Sequence, residues 1–145
     1  MEIKQGNFFI STDVSRLDLG VIHSFLTQSY WANGIPLDIV KKSIENSLCF
    51  GVYNQGRQVG FARVITDYAT FAYLADVFVL PSERGQGLSK WLMQTIKEHP
   101  KLQGLRRWML ATRDAHGLYE KYGFERVIDP DKLMVISKPN IYQGI

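Results

Sequence analysis

Cysteine is almost missing from this chain of 145 residues. Cys49 stands alone, so neither an intrachain disulfide nor a thiolate zinc site can be built within one copy. The three histidines, His23, His99 and His116, share no metal-ligand spacing with it, and no metal is expected. No apolar run approaches the roughly 18 to 20 residues that span a bilayer. The opening MEIKQGNFFIST lacks the basic start, apolar stretch and small-residue cleavage site of a secretory signal. The expectation is a cytoplasmic protein with no membrane partner. Long runs of one charge are absent too: 17 Lys and Arg face 14 Asp and Glu, for a net +3 and an isoelectric point near 9.0. That excess suits an anionic ligand. Without a polybasic arm, basic helix or recognised module it argues against nucleic acid. Linkers, repeats and low-complexity stretches are missing, whereas hydrophobic residues reach 46%, enough for a sizeable core. A single domain over 1–145 is expected.

The apolar run FFI at 8–10 reads as a strand leaving into a turn. Leu19, Ile22, Phe25 and Leu26 recur at helical spacing and predict a first helix over 15–28, with Ser15 as its cap. SYWANGIP then breaks regular structure, and Pro36 suits the first turn of a second helix carrying Ile39, Val40, Ile44 and Leu48. Three strands follow with only short polar turns, at 48–53, 58–65 and 71–80, so antiparallel pairing is expected. Leu88, Trp91, Leu92 and Ile96 mark a helix from near Gly87 to before Pro100. A strand over 107–111, a short helix over 115–122 closed by Gly123, and a last pair of strands over 124–127 and 133–136 complete the chain. KPNIYQGI is left as a tail.

RGQG, at 84–87, joins a strong strand to an amphipathic helix. Glycines there let backbone amides converge on an anion, and the helix dipole adds a favourable field. The same glycines also suit a plain tight turn. Two familiar phosphate motifs are excluded: Leu88, Ser89 and Lys90 follow where a P-loop needs Gly-Lys, and Lys90 stands where the dinucleotide fingerprint needs glycine.

Further on, RRWMLAT leads into DAHGLYEKYGFERV. With VFVLPSERGQGLSKWLM over 77–93 and LYEKYGF over 118–124, in this order and separation, the chain resembles the GNAT superfamily of N-acetyltransferases. The succession of elements is also the family's, so the resemblance covers nearly the whole chain. It implies an α/β (α+β) fold with a mixed, mostly antiparallel sheet and about four helices. That sheet would be splayed beside the long strand to admit acetyl-CoA next to the strand near Arg107.

Carried over by position, the resemblance has the backbone of Phe78 and Val79 pair with the pantetheine arm. The amides from Arg84 through Gly85, Gln86, Gly87 and Leu88 to Ser89 hold the pyrophosphate. The family pattern Q/R-x-x-G-x-G/A is met imperfectly: from Ser82 it lacks the first Gln or Arg, and from Arg84 it ends in Ser89. Arg84 and Lys90 could supply charge or belong to a solvated face. Tyr119 takes the place of the general acid that protonates the CoA thiolate as a tetrahedral intermediate collapses; the competing reading is a packing tyrosine, a part better suited to Tyr122. Thr112 stands where the family often has Asn, and Asp114 could cap the helix of Tyr119.

Asp76 is the only acid on the long strand. It is either the base or acceptor anchor, or a structural carboxylate. Alternation places it on one face with Leu74 and Phe78. Asp67, Tyr68 and His116 are lesser candidates. Tyr30 and Trp31 either wall the acceptor site or close the core. The implied activity is direct transfer of an acetyl group from acetyl-CoA to a primary amine. A noncatalytic acyl-CoA-binding regulatory module is the alternative, and a homodimer is compatible with either.

Overall fold

The computed structural model describes residues 1–143. Apolar segments separated by short polar turns become one six-stranded sheet. Its strands are β1 (Glu2–Gln5), β2 (Phe8–Ser11), β3 (Leu48–Asn54), β4 (Arg57–Thr66), β5 (Phe71–Val79) and β6 (Arg107–Leu110), side by side in chain order. The first five pair antiparallel and β6 lies parallel to β5. Gln55 and Gly56, with φ of 50° and 85°, make the tight β3–β4 turn. Asp67 ties the β4–β5 turn by accepting from the amides of Ala69, Thr70 and Phe71, and these bonds hold its carboxyl well below the usual range.

Helices cover both faces. α1 (Leu19–Leu26) and α2 (Leu37–Glu45) bury Ile22, Leu26, Val40 and Ile44 against Phe61 and Phe78. On the opposite face α3 (Leu88–Glu98) sets Leu88, Leu92, Met93 and Ile96 on Phe50, Val52, Val64 and Leu74. Burying each such aliphatic side chain is worth about 1.5–3 kcal/mol. The last helix, α4 (His116–Glu120), is fixed to α3 by Tyr122, whose hydroxyl donates to the Lys90 carbonyl at 2.8 Å. Tyr122 packs against the core as expected, but so does Tyr119, and Gly123, with φ of 94°, follows the helix. The mostly antiparallel sheet and four α-helices match the expected fold class.

Several boundaries differ. β1 escapes the sequence reading because all four of its residues are exposed, leaving no apolar alternation to detect. The expected helix over 15–28 divides into a 3₁₀ turn, Val14–Arg16, and α1, and the cap of α1 is Asp18, not Ser15. Pro36 sits one position before α2, as its N-cap. The helix expected over 115–122 shortens to α4, and Asp114 does not cap it; the Thr112 hydroxyl accepts from the Ala115 amide instead.

The last pair of strands does not form. Residues 124–127 and 133–136 carry no strand, and Met134, Val135 and Ile136 are 98, 84 and 93% exposed. Apolar composition supplies strand propensity, but a strand also needs a neighbouring backbone to bond. Part of the expected tail folds over 138–143, while Gly144 and Ile145 lie outside the described residues.

Candidate active site

Alternation along β5 fails at Asp76. Its φ is +55°, rare for a residue with a side chain, and the pairing with β4 shifts there, from Arg63 opposite Ala75 to Phe61 opposite Phe78. Such a bulge inserts an unpaired residue and reverses the faces beyond it. Leu74 therefore packs with α3, whereas Phe78 packs with α1 and α2. The expectation that Leu74, Asp76 and Phe78 share one face is corrected.

The bulge also orients Asp76. Its Oδ2 accepts from Arg63 Nε at 2.8 Å and its Oδ1 accepts from Trp31 Nε1 at 2.9 Å. The carboxylate and guanidinium side chains are only 10 and 16% exposed. Arg63 also donates to the Ser47 hydroxyl, so the pair satisfies much of its hydrogen-bonding capacity, as burial demands. Nothing local marks Arg63; only its place opposite the bulge makes it a site residue.

β6 accompanies β5 only as far as the pair Leu74–Leu110. Beyond it, the side of β5 that had faced β6 has no strand neighbour over 75–79 among the described residues. An open cleft follows between the two strands. At its Val79 end lies a small cavity of about 170 Å³, lined by Arg84, Gly85, Gly87, Leu88, Ser89 and Lys90 among others. The first bond within α3 runs from the Trp91 amide to the Gly87 carbonyl, which leaves the amides of Leu88, Ser89 and Lys90 as the unpaired donors of the helix start. Gly85 and Gly87 have φ of 83° and 80°, and a Cβ built on either would meet no protein atom within 4 Å. Residues whose helix-start amides are unpaired thus line this space, an arrangement suited to an anion.

Side chains of this loop behave differently from its backbone. Arg84 turns back, donating from Nε to the Val79 carbonyl. Gln86 donates to Glu83, a buried carboxylate that also accepts from Asn54. Glu83 braces the loop and was missed in the sequence, where an acid beside Arg84 looks like surface charge.

At the other end of the free β5 edge opens a larger cavity of about 720 Å³. Tyr30, Trp31, Asp76, Tyr119 and Tyr142 line it. Tyr119 and its predecessor Leu118 face the two ends of the cleft: Leu118 lines the small cavity and Tyr119 the large one. Burial first, then the neighbouring Tyr30 and Asp114, push the Tyr119 phenol up to about 12. Its ordinary value of 10.0 already keeps the proton on at neutral pH, and the shift extends that state to higher pH. Tyr30 accepts from the Arg113 amide at 3.2 Å, and the Arg113 guanidinium lies 3.9 Å from its ring centroid. Of the lesser candidates, Asp67 holds its turn, Tyr68 is exposed, and neither lines the large cavity. His116 lies beside Tyr119 in a third cavity along β6. No cluster of three or more His, Cys, Asp or Glu suited to a metal occurs among the described residues, and no helix among them is long and apolar enough to cross a membrane.

Comparison with known proteins agrees with this architecture. The family described as acetyltransferase (GNAT) domain matches residues 45–126. A relative from Gibberella zeae, named as a candidate acetyltransferase, is 34% identical across 81% of this chain and 78% of its own length. A crystal structure from Xanthomonas campestris pv. campestris, described as a candidate acetyltransferase of the GNAT family, is 56% identical, with a TM-score of 0.93 over 94% of this chain and 97% of that one. A candidate acetyltransferase of Clostridium acetobutylicum, crystallised with acetyl-CoA, shares the fold at 13% identity, with a TM-score of 0.64 over 90% of this chain and 95% of its own. The chain belongs to the GNAT acetyltransferases, a family that uses acetyl-CoA.

Proposed function

We propose that this GNAT chain is an acetyl-CoA-dependent N-acetyltransferase acting on a primary amine. One observation carries the reading: the unpartnered β5 edge leads from a cradle of backbone amides to a cavity holding Tyr119 and Asp76. At about 3.3 Å per residue, the stretch from Val79 to Asp76 spans about 10 Å of strand backbone. An extended pantetheine arm would lie along it, bonding to the backbone at Phe78 and Val79 as an added strand does. Gly85 and Gly87 let the loop present the amides of Leu88 and Ser89 to the pyrophosphate, with Arg84, Gln86 and Glu83 fixing its shape and Lys90 adding positive charge.

Acetyl-CoA, when bound, supplies the acetyl group as a thioester that an uncharged amine attacks directly, passing through a tetrahedral adduct to amide and thiol. The chain's own residues prepare that attack. Each carboxylate oxygen of Asp76 accepts one bond from the protein and has further acceptor capacity, so Asp76 receives the N–H of the acceptor and draws off its proton. Tyr30 and Trp31 wall the acceptor side. Tyr119, a phenol that is protonated at neutral pH, donates its proton to the departing sulfur. Much of the acceleration then comes from holding the amine in line.

Calorimetric titration with acetyl-CoA, followed by thiol release against a panel of amines, tests the assignment. Binding followed by acceptor-dependent release is the expected result. Binding without release from any amine would turn the reading to the noncatalytic acyl-CoA module, and no binding would remove both.

A further inference from the structure

The acceptor cavity has a wall that comes from far along the chain. The turn over 138–143, closed by bonds from the Ile141 amide to the Lys138 carbonyl and from the Gln143 amide to the Asn140 carbonyl, lies against the loop between α1 and α2. There Gly34 has φ of 83°, and a Cβ on it would sit 2.8 Å from the Tyr142 carbonyl oxygen. Only glycine allows that approach. The turn delivers the half-buried Tyr142 side chain to the cavity and onto the apolar cluster of α1 and α2.

The nearly buried charge in this cavity is already engaged within its walls. Arg63 and Asp76 neutralise each other in a nearly buried pair. Arg113 stacks on Tyr30, and Asp114 lies beside it on the exposed rim, 3.9 Å from its guanidinium. Among the described residues these four are the charged ones that line the cavity. A second charged group carried past the exposed rim to the depth of Arg63 and Asp76 would therefore lose hydration and meet only charges already paired, a costly exchange. What the walls offer instead is aromatic and aliphatic surface, from Tyr30, Trp31, Tyr73, Tyr142, Ile35 and Ile39.

We propose that the acceptor is a small primary amine with a compact apolar or aromatic body and no second charge, and that Tyr142, seated by Gly34, is the specificity-determining residue that closes the site around that body. This rests on the acetyl-transfer reading above. Tyr142 acts on the body of the acceptor, whereas Asp76 and Tyr119 act on its nitrogen and on the leaving sulfur.

The test compares thiol release from 2-phenylethylamine, putrescine, glycine and a lysine-containing peptide in the wild type and in Tyr142→Ala, Tyr142→Phe and Gly34→Ala. The expected result is a kcat/KM for 2-phenylethylamine at least tenfold above the other three. Tyr142→Ala should raise KM for that amine about tenfold, with kcat changed less than threefold and acetyl-CoA affinity within twofold. Tyr142→Phe should restore KM, and Gly34→Ala should resemble Tyr142→Ala, because it displaces the turn. Circular dichroism confirms that each variant is folded. Putrescine, glycine or the peptide matching 2-phenylethylamine, or an unchanged KM in Tyr142→Ala, would overturn the inference while leaving the acetyltransferase reading intact. Failure of the wild type to bind acetyl-CoA, or to release thiol with any amine, would overturn that reading and this inference with it.

Discussion

Trp31 and Asp76, 45 residues apart, are joined by a 2.9 Å hydrogen bond from the indole nitrogen to the carboxylate, whose other oxygen holds Arg63 at 2.8 Å. One residue with positive φ thereby connects the loop between α1 and α2, β4 and the bulge of β5. Removing the carboxylate leaves Arg63 without its ion partner in a nearly buried place. Asp76→Ala should cost about 3–5 kcal/mol of stability, the usual penalty for breaking such a pair from one side. Asp76→Asn keeps an acceptor for Trp31 and should cost less, while lowering kcat with the amine. Urea unfolding and steady-state kinetics on both variants check this.

Replacing Tyr119 with Phe retains the ring that packs edge-on against Phe124 at 6.0 Å and removes only the proton donor. A loss of about 100-fold or more in kcat is expected, with acetyl-CoA affinity within twofold by calorimetry. An unchanged kcat would take the acid role from this residue.

The raised Tyr119 phenol also sets a pH dependence. With its ordinary value at 10.0 and its folded value at about 12, the unfolded chain loses this proton first as pH rises. The stabilisation is fully present below pH 10 and is lost between 10 and 12. Wild type should lose stability relative to Tyr119→Phe only in that window, and kcat should show no falling limb from this group below pH 10. Denaturant titrations at stepped pH and a kcat profile measure the two effects.

Gly87→Ala places a methyl group on a backbone held at φ of 80°, in open space beside the amides of the cradle. The left-handed conformation costs about 1–2 kcal/mol with a side chain. Acetyl-CoA affinity should fall at least tenfold, with a thermal shift of only a few degrees. Calorimetry and a melting curve read both.

Cys49 is buried, and burial pushes its thiol up to about 12. A thiol reagent at pH 8 should therefore label the folded protein far more slowly than the denatured chain, since only the thiolate reacts. Rapid labelling of the native state would contradict the packing of β3 against α2.

Local chemistry made part of this protein legible from its residues alone. The order of helices and strands from β2 to α4, the glycines that open the cradle before α3, and the placing of Tyr119 on a short helix followed by Gly123 all follow from periodicity and turn preferences within a few residues. The cradle is legible because it is made of backbone, whose behaviour glycine and a helix start determine locally.

The acceptor end was decided by tertiary structure. No local signal puts positive φ at Asp76, so strict alternation sent Leu74 and Phe78 to one face where the bulge parts them. Arg63 and Tyr142 become site residues only through neighbours distant in the chain, Asp76 for one and Gly34 for the other. The apolar run at 133–136 shows the same limit from the other side: it has the composition of a strand, but pairing needs a second backbone within hydrogen-bonding reach, and none joins it. Sequence determines what each segment prefers by itself; which segments meet depends on how the whole chain packs its core, and the acceptor cavity is built from such meetings.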